Sequence, residues 1–154
     1  MQAGVPLGVV LAAAGCGNGA EFRAASTGRG REYAGGVSST TRVWPAGQGP
    51  PPPPGRGRGR PPRRLRRDAV PQPVTVKERA LEHRARSRRV TGRDGPKGVL
   101  SGRVLALRVR SAHRDDTRAT VRAAEWLLLE WPAGEPAPTQ YALSTLPEAT
   151  WLKR

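Results

Sequence analysis

The middle of the chain contains a stretch that is unsuited to regular helix or strand. Residues 47–73 include the run PPPPPGRGRGRPPRRLRR. Proline lacks the backbone N–H that helices and sheets need, and glycine loses the most conformational entropy when it is ordered. The five consecutive prolines predict a stiff polyproline II segment. We therefore expect ordered pieces of chain joined by a long irregular Pro/Gly/Arg-rich linker over residues 47–73.

The same segment concentrates positive charge. Seven arginines occupy twelve positions with no acidic residue among them: Arg56, Arg58, Arg60, Arg63, Arg64, Arg66 and Arg67. The whole chain has a formal net charge of +15, and such a chain attracts polyanions. Two interpretations stay open for the arginines. They form either an arm that contacts the phosphates of nucleic acid or a solvated linker whose charge keeps the chain soluble.

The beginning of the chain supports two incompatible interpretations. The letters LGVVLAAAGCG, at residues 7–17, resemble the end of a bacterial lipoprotein signal in which Cys16 carries the lipid. The same letters fit a strand near residues 9–12 that is buried on both faces and runs into a glycine turn. A secretory signal normally has Lys or Arg before its apolar region, and residues 1–7 contain neither. This observation favours the strand.

A helix and a second strand are expected next. The sequence predicts a helix near residues 20–27, with Asn18 as its cap and with Gly28 and Gly30 at its end. The letters EYAGGV then predict a short strand. Together these form a strand–helix–strand unit of α/β type, which is too small to fold alone.

Residues 74–147 have the pattern of an antiparallel sheet. GVLSGRVLALRVR alternates apolar and polar residues, AEWLLLEW is nearly all apolar, and TQYALSTLP alternates again. PVTVKERAL, which opens with Val74 and Val76, indicates a further strand. We expect three or four strands with residues 127–129 in the central one, RDDTRATVRA as a loop or short helix, and residues 148–154 as a tail.

The residues themselves provide no recognisable metal or catalytic constellation. A single cysteine excludes an internal disulfide and a cysteine-rich zinc site. His83 and His113 have no partner at ligand spacing. Asp115 and Asp116 are adjacent and lie among arginines, so ion pairing is expected of them rather than metal binding. The chain also lacks an apolar run of the roughly 18 residues that a membrane span needs. We expect nucleic acid as the partner, with no metal, no membrane and no small-molecule substrate.

The order of these segments resembles the bacterial insertion-sequence transposases of the DDE superfamily of endonucleases. The resemblance spans residues 5–147 and rests on these segments in this order: GVVLAAAGCGNGAEFRA, YAGGVSSTTRVWPAG, GRGRPPRRLRR, PVTVKERAL, VLALRVRSAHRD and EWLLLEWPAGEPAPTQYALSTLP. It implies an α/β fragment of a ribonuclease-H-like core in residues 1–46 and an antiparallel β-rich insertion in residues 74–147. It also implies DNA as the partner, a cytoplasmic location, and Mg or Mn ions held by three carboxylates in the intact family.

The resemblance also identifies departures from the family pattern. The family strand reads Val-Val-Leu-Ala-Asp-Ala-Gly-Tyr-Gly, and its Asp is the second catalytic carboxylate. This chain has Ala13 at that position and Cys16 in place of Tyr, and a methyl group cannot coordinate a hard metal ion. The other two carboxylates are expected before residue 1 and after residue 154, since Glu148 comes too early and lacks helical context. We therefore expect a truncated, catalytically inactive remnant that binds no cofactor and retains non-specific DNA binding.

Two other functions are compatible with the residues. One is an exported lipoprotein, anchored through Cys16, with a disordered basic stalk. The other is an Arg-rich nucleic-acid-binding protein unrelated to transposases.

Overall fold

A computed structural model describes residues 8–52, 57, 59, 64–66, 71–95 and 98–151. Within these residues, eight strands form one sheet and four short helices accompany it: β1 (Val10–Ala12), α1 (Ala14–Gly17), α2 (Ala20–Gly28), β2 (Tyr33–Gly36), β3 (Arg42–Pro45), β4 (Val74–Thr75), α3 (Val76–Glu82), β5 (Arg88–Gly95), β6 (Gly98–Ser111), β7 (Glu125–Pro132), β8 (Gln140–Ser144) and α4 (Glu148–Trp151). The strand order is β1-β2-β8-β7-β6-β3-β4, and β5 also pairs with β6.

The middle of the sheet is antiparallel, as the alternating pattern predicts. β7 pairs with β6 from Glu125↔Val109 to Pro132↔Gly102, and its other edge pairs with β8. Leu127 is opposite Leu107 on one side and Leu143 on the other, and all three side chains are buried. The antiparallel arrangement and the central place of residues 127–129 are confirmed.

The first segment contains the expected strand–helix–strand unit, but the prediction that its first strand is buried on both faces is wrong: β1 lies at the edge of the sheet and Leu11 is exposed. β1 and β2 are parallel, with Val10 opposite Tyr33, and α1 and α2 connect them. Helix α2 ends one residue beyond the predicted range. The prediction that Asn18 caps this helix is wrong. The cap residue is Gly19, and the Asn18 Oδ1 accepts a hydrogen bond of 2.8 Å from the Ser38 N–H instead.

Helix α1 packs against β2 through glycine. A Cβ atom at Gly17 would lie 2.0 Å from the carbonyl oxygen of Gly36, and one at Gly36 would lie 2.8 Å from the Ala14 nitrogen. Neither position has room for a side chain. The glycines in this stretch were expected to permit a tight turn, and Gly17 in fact permits a close approach of two backbones.

Strands from both sides of the linker share the sheet. β2 pairs with β8, with Gly35 opposite Leu143, and β3 pairs with β6, with Val43 opposite Ser111. The mixed α/β architecture is thus mostly sheet. The segment boundaries after residues 46, 73 and 147 stay a prediction.

Of the predicted linker, the described residues contain neither helix nor strand. Part of the linker nevertheless packs against the rest of the protein. Leu65 is buried, and its N–H donates a 2.9 Å hydrogen bond to the Arg118 carbonyl. The Arg66 N–H donates a 3.1 Å hydrogen bond to the Pro51 carbonyl.

One face of the sheet carries the hydrophobic core. Val76 and Ala80 of α3 are fully buried there with apolar side chains from the sheet: Tyr33, Val43, Leu105, Leu107, Val109, Leu127, Leu129, Tyr141 and Leu143. Each large apolar side chain buried in this way contributes roughly 1.5–3 kcal/mol of transfer free energy. The opposite face is covered near β3, where Trp44 is buried and its Nε1 donates a 2.6 Å hydrogen bond to the Asp115 carboxylate.

Helix α3 corrects a sequence prediction. PVTVKERAL was expected to be a strand, but only Val74 and Thr75 are extended, and a helix begins at Val76. Thr75 and Glu78 form a capping box. The Thr75 Oγ1 accepts from the Glu78 N–H at 3.1 Å, and the Glu78 carboxylate accepts from the Thr75 N–H at 2.7 Å. These bonds satisfy two backbone donors and start the helix.

Replacing Thr75 with Ala should destabilise the protein, because the Glu78 N–H loses its acceptor at the helix start. The expected loss in the free energy of unfolding is about 1 kcal/mol. Urea denaturation followed by circular dichroism measures it. Thr75→Ser keeps the hydroxyl and should lose much less; equal losses for the two variants would contradict the capping role.

Candidate functional site

Ala13 lies at the end of β1, where the family resemblance locates a carboxylate. It occupies the N-cap position of α1 with extended backbone (φ −66, ψ 167), and its carbonyl accepts hydrogen bonds from the Cys16 and Gly17 N–H groups. The side chain is exposed and makes no capping hydrogen bond. Asp and Asn are favoured at an N-cap, whereas Ala is not. The local geometry thus suits a carboxylate at a position that holds a methyl group.

Ala13 lines a groove of about 1150 Å³ on the face of the sheet opposite the core. The groove floor is apolar, with side chains from five strands: Leu11, Ala34, Val104, Ala106, Trp126, Leu128 and Ala142. Leu11 is 78% exposed and Val104 is 39% exposed, so this part of the face is uncovered. Arg86 and Arg88 also line the groove.

Two acidic residues, Glu130 and Glu148, line the same groove as Ala13. The expectation that Glu148 lacks helical context is wrong, because Glu148 begins α4. Among the described residues there is no group of three or more His, Cys, Asp or Glu that could hold a metal ion. A two-metal centre needs several convergent carboxylates, and Ala13 contributes no oxygen ligand. The described residues therefore do not fit such a centre.

A buried polar cluster joins α2 to the core face of the sheet. The Tyr33 hydroxyl donates to the Glu125 carboxylate, and both side chains are buried. Arg23 of α2 is also buried, and its guanidinium donates to the Gly17 carbonyl and, at 3.1 Å, to the Ser111 hydroxyl. Burial raises the pKa of Glu125, although the hydrogen bond from Tyr33 and the charge of Arg23 oppose the change. The cluster therefore attaches α2, the second helix after Ala13, to the sheet.

The structure describes only part of the predicted arginine arm. Arg64 is exposed and Arg66 is half-buried, whereas Arg56, Arg58, Arg60, Arg63 and Arg67 lie outside the described residues. Of the two arginines of the arm that the structure describes, neither Arg64 nor Arg66 lines the groove that contains Ala13. The structure instead places Arg86 and Arg88 there, which the sequence analysis did not single out.

His83, His113 and Asp115 are not among the residues that line the groove. His83 follows α3, and its pKa is lowered by burial and by the charge of Arg79. His113 is exposed. Asp115 is buried against Trp44, so its carboxylate has a structural partner.

Comparison with known proteins identifies the family. A family model described as DDE superfamily endonuclease matches residues 1–99, which is more than half of the chain. This protein belongs to the DDE superfamily of endonucleases. No curated protein and no solved structure matches the chain. The eight-stranded mixed sheet is compatible with a ribonuclease-H-like DDE domain, and enzymes of this superfamily act on DNA and generally depend on divalent metal ions.

The match bears on the interpretation of the opening stretch. It includes Cys16, which is an exposed residue of α1, the helix that follows β1. The lipoprotein alternative is not supported. Across the described part of the chain, the helices are too short or too polar to cross a membrane.

The buried Glu125 makes stability depend on pH. Its pKa in the folded protein is raised above the ordinary value of 4.5, so the folded state favours the protonated form. This contribution to stability is fully present below pH 4.5 and is lost as the pH rises through the raised folded pKa. Glu125→Gln keeps an acceptor for Tyr33 without the titration. Chemical denaturation should therefore show that raising the pH from 4.5 to 7.5 lowers the free energy of unfolding less in the variant than in the wild type.

A control variant separates this effect from general charge effects. Glu130→Gln removes an exposed carboxylate from the same strand and should keep the pH dependence of the wild type. Identical pH dependence in the wild type and Glu125→Gln would refute the assignment.

Proposed function

We propose that this protein is a transposase-like DNA-binding protein of bacterial insertion-sequence origin that no longer catalyses strand cleavage or transfer. The observation that carries the proposal is Ala13, which stands at the end of β1 in a chain whose residues 1–99 match the DDE endonuclease family. The protein acts in the cytoplasm, where bacterial DNA lies.

The DNA-binding part of the proposal rests on charge. The net charge is +15, and the arginine arm from Arg56 to Arg67 carries no acidic residue. Phosphate contacts made by such an arm release counterions and are largely independent of base sequence. Glycine and proline separate the arginines, and such a sequence disfavours the rigid helix that would enter the major groove and read bases.

The catalytic part rests on ligand chemistry. Cleavage and joining of DNA in this family need metal ions that activate a water molecule or a DNA hydroxyl and stabilise the leaving oxygen. Hard divalent ions take oxygen ligands, and the side chain of Ala13 has none. Glu130 and Glu148 line the groove, but the position at the end of β1 has no carboxylate.

Removing arginines from the arm should flatten the salt dependence of DNA binding. Each neutralised phosphate contributes about −0.9 to the slope of log K against log salt. Replacing Arg63, Arg64 and Arg67 with Gln should reduce the slope by about 2.7 if all three contact phosphate. Arg66 is left intact because it is half-buried. Fluorescence anisotropy with a labelled duplex across a salt series gives the slope.

A matched control removes three exposed cations outside the arm: Arg29, Arg31 and Lys77. If the arm contacts phosphates, this control variant should change the salt slope of DNA binding by less than the arm variant does. Equal changes in the salt slope for the two triple variants would indicate that the arm is a solubilising linker.

The purified protein should neither nick nor join DNA with magnesium or manganese. Ala13→Asp alone should not rescue activity, because two-metal chemistry needs several carboxylates. This variant should still fold, since Asp at the N-cap of α1 adds an acceptor worth about 0.5–2 kcal/mol. Assays of supercoiled-plasmid nicking and oligonucleotide strand transfer, together with thermal melting, test both statements. Metal-dependent nicking by the wild-type chain would overturn the inactivity.

A further inference from the structure

Three exposed arginines line a pocket with Trp131, where β5 forms an edge of the sheet. Arg84 belongs to a short 3-10 turn before β5, Arg89 lies in β5, and Arg103 lies in β6. All three are exposed, and they line a shallow pocket of about 350 Å³ together with Trp131. None of these residues belongs to the arginine arm or to the groove with Ala13.

The strand register places these side chains on one face. Arg89 is opposite Arg103 in the β5–β6 pairing, and Arg103 is opposite Trp131 in the β6–β7 pairing. The Arg84 guanidinium lies over the Trp131 ring, 5.1 Å from its centroid. Trp131 is itself buried, and its Nε1 donates a 3.0 Å hydrogen bond to the Glu135 carbonyl. The ring is thus a fixed support that orients a guanidinium.

This arrangement is unfavourable for the protein alone. Like charges directly opposite each other on neighbouring strands destabilise a sheet. Neither Arg89 nor Arg103 forms an ion pair within the part of the chain that the structure describes. Glu135 lines the pocket as well and is exposed. A bound polyanion would relieve the repulsion between the two guanidinium groups.

We propose that Arg84, Arg89 and Arg103 form a preorganised contact site for the phosphate backbone of duplex DNA. The proposal rests on the proposed DNA binding and adds a second, structured site to the arm. Guanidinium groups match phosphate oxygens in fork geometry, and the Trp131 ring orients the guanidinium of Arg84, which reduces the entropy lost on binding. DNA is favoured over an acidic protein because the superfamily acts on DNA.

Charged side chains on edge strands have another use. They prevent a second copy of the sheet from pairing with the exposed edge. If Arg89 on the edge strand β5 had that role, its removal would promote self-association and leave DNA affinity unchanged. The two roles therefore predict different outcomes for the same variant.

The test compares Arg89→Gln/Arg103→Gln with Arg29→Gln/Arg31→Gln, which removes two exposed arginines at a distant place in the fold. The proposal expects the first variant to flatten the salt slope for a labelled mixed-sequence duplex by about 1.8, and the control to change it by less than half of that. It also expects the first variant to be at least as resistant to urea as the wild type, because a like-charge pair is gone. Loss of binding with gained or equal stability distinguishes a ligand site from a structural one.

The outcomes separate the two proposals. If the wild-type chain binds no DNA, the proposed function fails and this site fails with it. If the wild type binds and Arg89→Gln/Arg103→Gln keeps the wild-type slope, only this site is refuted. Self-association on analytical ultracentrifugation with unchanged affinity likewise refutes it in favour of edge protection. Arg89→Lys/Arg103→Lys provides a further check, since it keeps both charges and should restore the slope.

Discussion

The hydrogen bonding of β7 on both of its edges holds the sheet together. One edge pairs with β8, which carries β2 and β1, and the other pairs with β6, which carries β5, β3 and β4. Every other strand is therefore connected to β7 directly or through one of these neighbours. The Leu127 and Leu129 side chains point into the core from the same strand, and Glu125 of β7 receives the hydrogen bond from Tyr33. The position of the Ala13 turn thus depends on a strand more than a hundred residues away in the sequence.

The sequence predicted those strands and helices for which a single periodicity or end signal is present. β6 and β8 alternate, β7 is a nearly continuous apolar run bounded by Pro132 and Gly134, and α2 ends among glycines. It failed where two signals competed. Val74 and Val76 suggested an alternation of period two, but the Thr75–Glu78 capping box determined the structure and produced α3. β3 went unpredicted because only Val43 and Trp44 separate an arginine from a proline, which is too short for a periodicity to appear.

The candidate site likewise contains features that were predictable from the sequence and features that were not. The position of Ala13 at a strand end followed from the family resemblance, because a motif is local in sequence. The Tyr33–Glu125 and Trp44–Asp115 hydrogen bonds join residues that are 92 and 71 positions apart. No local pattern records such a partnership. The cluster of Arg84, Arg89 and Arg103 was invisible for the same reason, since the strand register alone brings β5 and β6 arginines to the same place.

The contact between Gly17 and Gly36 has a consequence for how the Ala13 turn responds to mutation. Gly17 has no room even for a methyl group, because a Cβ atom there would overlap the Gly36 carbonyl. Ala13, four positions earlier, is exposed, and it contributes to the same turn only through its backbone carbonyl. The turn therefore combines a position that has no room for a side chain with one whose side chain is exposed. Its shape and its chemistry are separately mutable, so a catalytic carboxylate can be lost here without altering the backbone that would present it.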